Sequence, residues 1–190
     1  MRSSSPPAGK LRAIEITTLS LMGALIFAAK FALASLPNIN INAVLIILTT
    51  IFFGWKALYA VGVYVLLEGL VFGFQIWWIC YVFIWPLLVV VAMLFRKNDS
   101  ALLWAVIAAF WGLCFGPLMY IPYFCILGGW QGYFAMWIAG IPWDLAHAAG
   151  NFVGTLVLYR PLCRVMALYV DKTLRRAPRE PQEQETPPPA

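Results

Sequence analysis

The sequence predicts an all-α integral membrane protein with six transmembrane helices and both termini on the cytoplasmic side. Three observations carry that expectation. First, of the 190 residues 63% are hydrophobic and 11% are charged, which is more apolar surface than a soluble domain of this size can bury. Second, the apolar residues gather into six segments, at roughly 14–36, 42–54, 57–75, 78–95, 101–126 and 133–159. Third, lysine and arginine alternate from one connection to the next. Arg2, Lys10 and Arg12 precede the first segment, and Lys56 separates the second from the third. Arg96 and Lys97 separate the fourth from the fifth, and Arg160, Arg164 and Lys172 begin a basic stretch after the sixth. The other three connections, Pro37–Ile41, Gln75–Trp77 and Gly128–Gly132, carry no Lys or Arg. Basic residues concentrate on the cytoplasmic side of membrane proteins, so this alternation sets the orientation. The net charge of +5 therefore belongs to loops at a bilayer surface and is not a nucleic-acid signature.

Residues 1–13 form a short basic cytoplasmic arm. The first apolar run is too long for the h-region of a signal peptide, and no small-residue cleavage site stands out. Inside it Ala24, Ala28 and Ala32 recur every four residues. They make a smooth stripe for close helix packing, inside the bundle or against a partner. Lys30 lies in the same segment, and Glu68 lies in the third. Both sit about 10 Å from the outer end at 1.5 Å per residue, so they are placed to form an ion pair. Snorkelling to the outer interface is the plainer alternative for Lys30.

The connection Leu36-Pro-Asn38-Ile-Asn40-Ile-Asn42 alternates asparagines. They can cap the next helix or place amides over a pocket mouth. The second segment is short for a span. The fourth opens with Trp77, Trp78, Tyr81 and Trp85. Trp77 and Trp78 suit an interfacial belt. Trp85 lies two turns inside and suits a wall on which a flat ring stacks.

The sixth segment holds Asp144, His147 and Asn151 within an arc of about 60° on a helix. Polar groups at membrane depth are costly unless they face a cavity or a partner. The alternative to a site is a buried network that fixes helix packing. Pro142 either starts this helix or kinks a longer one. Residues 14–160 thus form one six-helix transmembrane domain. Residues 161–190 form a basic and then Pro- and Glu-rich cytoplasmic tail that cannot bury a core.

Several chemistries are excluded. The four cysteines show neither CxxC nor metal spacing, and the chain has one histidine, so no metal or cofactor site is expected. No GxxxxGK[ST] motif occurs, so any ATP-driven step needs another protein.

The six short spans, the alanine stripe, the Leu-Pro-Asn loop and the Gly-Ile-Pro-Trp-Asp-x-x-His segment together resemble the substrate-binding S components of energy-coupling factor (ECF) vitamin transporters. The resemblance covers about residues 14–160. It implies a non-enzymatic cell-membrane subunit that captures a vitamin or related micronutrient, such as a flat heterocycle, in its outward half. It further implies docking on a transmembrane T component that is coupled to two cytoplasmic ATPases. Carried onto this chain, the partner surface falls on Ala24, Ala28 and Ala32. The ligand contacts fall on Asn38, Asn40, Trp85, Asp144, His147 and Asn151. Two other classes remain open from the residues alone: an intramembrane hydrolase using Asp144 and His147, and a membrane scaffold without a ligand.

Overall fold

A computed structural model describes residues 12–35 and 40–175. Among these residues there are six α-helices: α1 (Ala13–Ala32), α2 (Asn42–Phe53), α3 (Ala57–Phe72), α4 (Ile76–Phe95), α5 (Ala101–Tyr120) and α6 (Trp130–Tyr169). Five stretches are long and apolar enough to cross a membrane, with α2 and α3 counted together as Asn42–Phe72. Large apolar side chains point outward along the helices, among them Leu70, Leu94, Phe110, Ile138 and Val157. This is the build of a multi-pass helical membrane protein, whose solvent for these side chains is lipid.

The helix ends follow local chemistry. Glu15 reaches back to the Arg12 backbone N–H at 3.0 Å and closes the start of α1. Ser100 caps α5 by accepting from the Leu103 N–H at 3.3 Å. Between α2 and α3 the chain reverses at Gly54, whose φ of 62° disfavours any residue with a Cβ. The reversal is confirmed by a bond from Asn42, at the start of α2, to the Tyr64 hydroxyl in the middle of α3, at 2.9 Å.

Residues 42–50 of α2 are all buried. This helix is only about 18 Å long, and its neighbours wrap it. Thr49 and Thr50 meet the interior by bonding back to the Leu45 and Ile46 carbonyls at 2.7 and 2.8 Å.

Buried positions in the other helices recur at three and four residues. In α3 they include Val61, Tyr64, Val65 and Glu68, and in α4 Tyr81, Ile84, Trp85, Leu88 and Ala92. The most extensive seam joins α5 to α6. A Cβ on Gly112 would lie 2.7 Å from the Ala148 backbone nitrogen, and one on Gly116 would collide with the Asp144 carboxylate. Small residues here let two helix backbones approach closely, as in other membrane bundles.

The helices run alternately up and down, which sorts their termini into two ends. At one end Lys56 pairs with Glu15 at 2.8 Å, and Arg96 donates to the Ile51 carbonyl at 3.0 Å. Glu15 lies inside the first apolar run, and no local signal in the sequence marks its partner. Its partner comes from a turn 41 residues away. At the opposite end Lys30, Asn42, Glu68 and Tyr81 converge.

The structure adjusts the expected boundaries. Helix α1 ends at Ala32. Helix α6 runs on to Tyr169, past Arg160 and Pro161, and its Tyr169 hydroxyl bonds Thr18 at 2.7 Å. Basic residues mark where a helix leaves the apolar layer, not where it stops being a helix. Pro142 lies within α6 and not at its first turn. The other interior prolines are Pro86 in α4, Pro117 in α5 and Pro161 in α6. Membrane helices tolerate such prolines because neighbours can meet the freed backbone groups.

Candidate functional site

The end of the bundle that lacks the basic clusters holds a cavity of about 550 Å³, within the range of sites for small organic ligands. All six helices contribute to it by sequence-local rules. Helix α1 contributes Lys30 from its last turn, and α3 contributes Glu68 and Phe72 from its own last two turns. Helix α4 presents Trp77, Tyr81 and Trp85, spaced by four on one face. Phe115 and Met119 come from α5, and His147 comes from α6. Asn40 and Asn42 close the wall at the start of α2.

Lys30 and Glu68 form an ion pair. Glu68 is fully buried, and the Lys30 side chain is 28% exposed, so the lysine stem reaches down from the mouth to the acid. The Lys30 ammonium also donates to the Tyr81 hydroxyl at 3.2 Å. Three rings surround it: Tyr81, Phe72 and Trp77, with centroids at 4.9, 5.6 and 5.9 Å. Each lies within the distance at which a ring face attracts a cation.

Trp85 lies on the cavity floor and is 1% exposed. Its ring is held by Tyr64, Tyr81 and Phe115, each 5.6 Å away centroid to centroid. Trp85 therefore lines the cavity as part of a packed aromatic floor, and Phe72, Trp77 and Phe115 are the more open rings on the wall. Tyr64 links this floor to Asn42 through the 2.9 Å bond. The place of Tyr64 in the α3 stripe, four residues before Glu68, is the sequence signal that points to it.

No side chain caps α2, whose N-cap is Ile41, and Asn40 and Asn42 line the cavity instead. Asn40 accepts from the Asn42 backbone N–H at 3.2 Å through its side-chain oxygen, an Asx turn that leads into α2. Its amide nitrogen lies 3.2 Å from His147 Nε2. His147 also meets the Phe115 ring edge to face at 4.8 Å. Asn38 falls outside the described residues.

The polar line on α6 divides. His147 lines the cavity, whereas Asp144 and Asn151 are turned to α5. Asp144 accepts from the Gly116 N–H at 3.1 Å, and Asn151 donates to the Ala108 carbonyl at 3.1 Å. At 100° per residue, Asn151 projects only about 20° from Asp144, but His147 projects about 60° from it. That rotation carries the imidazole off the α5 seam and toward α2.

On α1, Ala24 is half-buried, and Ala28 and Ala32 are exposed on the outside of the bundle. All four cysteines are free, and Cys80 is buried. No known family model matches the chain, and no curated protein or solved structure is significantly similar to it.

Proposed function

We propose that this protein is the membrane substrate-binding subunit of an ECF-type importer. It captures a flat micronutrient of vitamin size and passes it on with a T component and two cytoplasmic ATPases. The observation that carries the reading is the cavity of about 550 Å³, with a buried ion pair, His147 and an aromatic wall at one end of the bundle. Polar groups at that depth are costly, and a cavity that orients a ligand gives them a role.

In this reading α2 and α3 are separate spans, giving six, and both termini are cytoplasmic. The cavity end carries no basic connection and so faces outward. The exposed Ala28 and Ala32 continue the stripe from Ala24 on the outer face of α1, which suits docking of another membrane helix. Of the six ligand contacts implied by the resemblance, Asn40, Trp85 and His147 line the cavity. The proposed site adds Lys30, Glu68 and Asn42 to them.

Native mass spectrometry of protein purified from cells grown in rich medium tests the proposal. A copurified small molecule of constant mass is expected. Protein that is ligand-free and binds no compound from a vitamin panel overturns the reading. For orientation, single cysteines at Asn98 and Gly129 are introduced after removal of the native cysteines. Labelling of the Gly129 position, and not the Asn98 position, from outside intact cells is expected.

A further inference from the structure

Three nearly inaccessible side chains of the cavity wall each keep a polar atom with no hydrogen-bond partner among the described residues: Glu68 Oε1, Asn42 Oδ1 and Trp85 Nε1. Glu68, Asn42 and Trp85 are 0, 1 and 1% exposed. Leaving such groups unmet is costly in an apolar interior. They are also neighbours. Asn42 bonds Tyr64, Tyr64 packs on Trp85 and Tyr81, and Tyr81 receives the Lys30 ammonium that pairs with Glu68.

Glu68 decides the polarity of what fits, because an ionised carboxylate only accepts hydrogen bonds, whereas an amide offers either sense. One of its oxygens is bonded to Lys30. The other is buried on the cavity wall near the Tyr64 hydroxyl, with no hydrogen bond of good geometry among the described residues. The rings of Phe72, Trp77 and Tyr81 are already disposed around a positive charge. The charge they hold is on a flexible stem whose side chain is 28% exposed, so Lys30 can withdraw to the interface, as long cationic side chains do near helix ends. A carboxylate- or phosphate-bearing ligand would face Glu68 and would have to draw Lys30 away from it.

We infer that the cavity takes a flat nitrogen cation with an amidine-type N–H edge, which replaces the Lys30 ammonium between the Glu68 carboxylate and the rings of Phe72, Trp77 and Tyr81. The inference rests on the reading of this cavity as the substrate site and names the ligand chemistry. Two adjacent N–H groups meet Glu68 and Asn42, and the flat body lies along the open rings. In this arrangement Lys30 is a tethered occupant that neutralises the acid while the site is empty.

Benzamidine, benzamide and benzoate test this, because they share one shape and differ in charge and in N–H donors. The full chain is placed in phosphatidylcholine nanodiscs. Binding is read by saturation-transfer difference NMR, with empty nanodiscs as the blank. Benzamidine is expected to bind, benzamide about tenfold more weakly, and benzoate more weakly still, as expected for loss of a charge-assisted hydrogen bond. Glu68→Gln should bring benzamidine down to the level of benzamide. Lys30→Met should strengthen benzamidine, because the competing ammonium is gone.

Benzoate binding at least as well as benzamidine, with loss of that binding in Lys30→Met, would overturn the inference and make Lys30 an anion holder. Equal binding of all three would also overturn it, leaving shape as the only selector. Binding of none of the three would remove the cavity as a site for flat rings, and with it the substrate reading beneath. The wild-type panel decides the matter even if a variant does not fold.

Discussion

Asp144 and His147 stand three residues apart on α6, and each has a different kind of neighbour. Asp144 is met by the Gly116 backbone of α5 at 3.1 Å, in a seam where a glycine leaves room for the carboxylate and little else. His147 faces a cavity, touching Asn40 across to α2. The α5–α6 seam uses polar groups to lock two helices that small residues have let approach. The cavity end surrounds its polar groups with large rings and leaves three polar atoms unmet on its wall. Asp144 and Asn151 also keep one unmet oxygen each, but neither residue lines the cavity. Burial of a polar side chain in a membrane bundle therefore does not by itself mark a ligand site; an open volume beside it does.

The seam is a part of the molecule with little tolerance of added bulk. Gly112→Leu puts a side chain into the Ala148 backbone, which cannot rotate away. Overpacking of this kind costs about 1–3 kcal/mol and more where backbone is the obstacle. The variant should fail to extract as a monodisperse species by size-exclusion chromatography, and normal extraction would mean the seam is looser than described.

At the cavity floor, Trp85→Ala should destabilise by about 3–5 kcal/mol, the usual range for emptying a large aromatic site. Trp85→Phe keeps an aromatic ring in the floor and loses the Nε1 donor together with part of the ring area. It should fold with a milder loss of stability and still weaken binding of the copurified ligand. Thermal unfolding in detergent and a calorimetric titration, run side by side, separate the two effects.

The sharpest version of the comparison is a pair of variants on α6. Asp144→Leu leaves the Gly116 N–H without its acceptor side chain and should cost about 1–3 kcal/mol of stability, with ligand affinity unchanged in the protein that folds. His147→Ala should do the reverse. It should lower ligand affinity about tenfold or more if the imidazole reaches the ligand, with a smaller loss of thermal stability. Equal effects of both variants on both readouts would erase the distinction between seam and cavity.

The smallest expected effect on the isolated protein is at Ala28, which is exposed on α1. Ala28→Trp should change its stability by no more than about 0.5 kcal/mol, as for other surface positions, and leave ligand binding intact. Copurification with the proposed T component should nevertheless be lost. Unimpaired assembly would return the alanine stripe to ordinary lipid-facing surface.

The positions of all six helices were legible in the sequence, because apolar runs broken by glycine, proline and charge are local signals. The aromatic face of α4 was legible from its spacing of four, whereas matched depth left Lys30 free either to pair with Glu68 or to reach the interface. Periodicity fixes which side chains share a face of one helix. It does not say which neighbour that face meets. Asp144, His147 and Asn151 lie on one arc by sequence, and only the packing of α5 and α2 against α6 divides them between seam and cavity. The same holds for Glu15 and Lys56, which meet because the α2–α3 turn comes back to the start of α1. Tertiary structure alone also decided that Trp85 sits in a packed floor, since the rings of Tyr64, Tyr81 and Phe115 that enclose it come from α3, α4 and α5. Local chain chemistry sets the elements and their faces, and the rotation of each helix against its neighbours, a matter of tens of degrees, assigns the polar residues their roles.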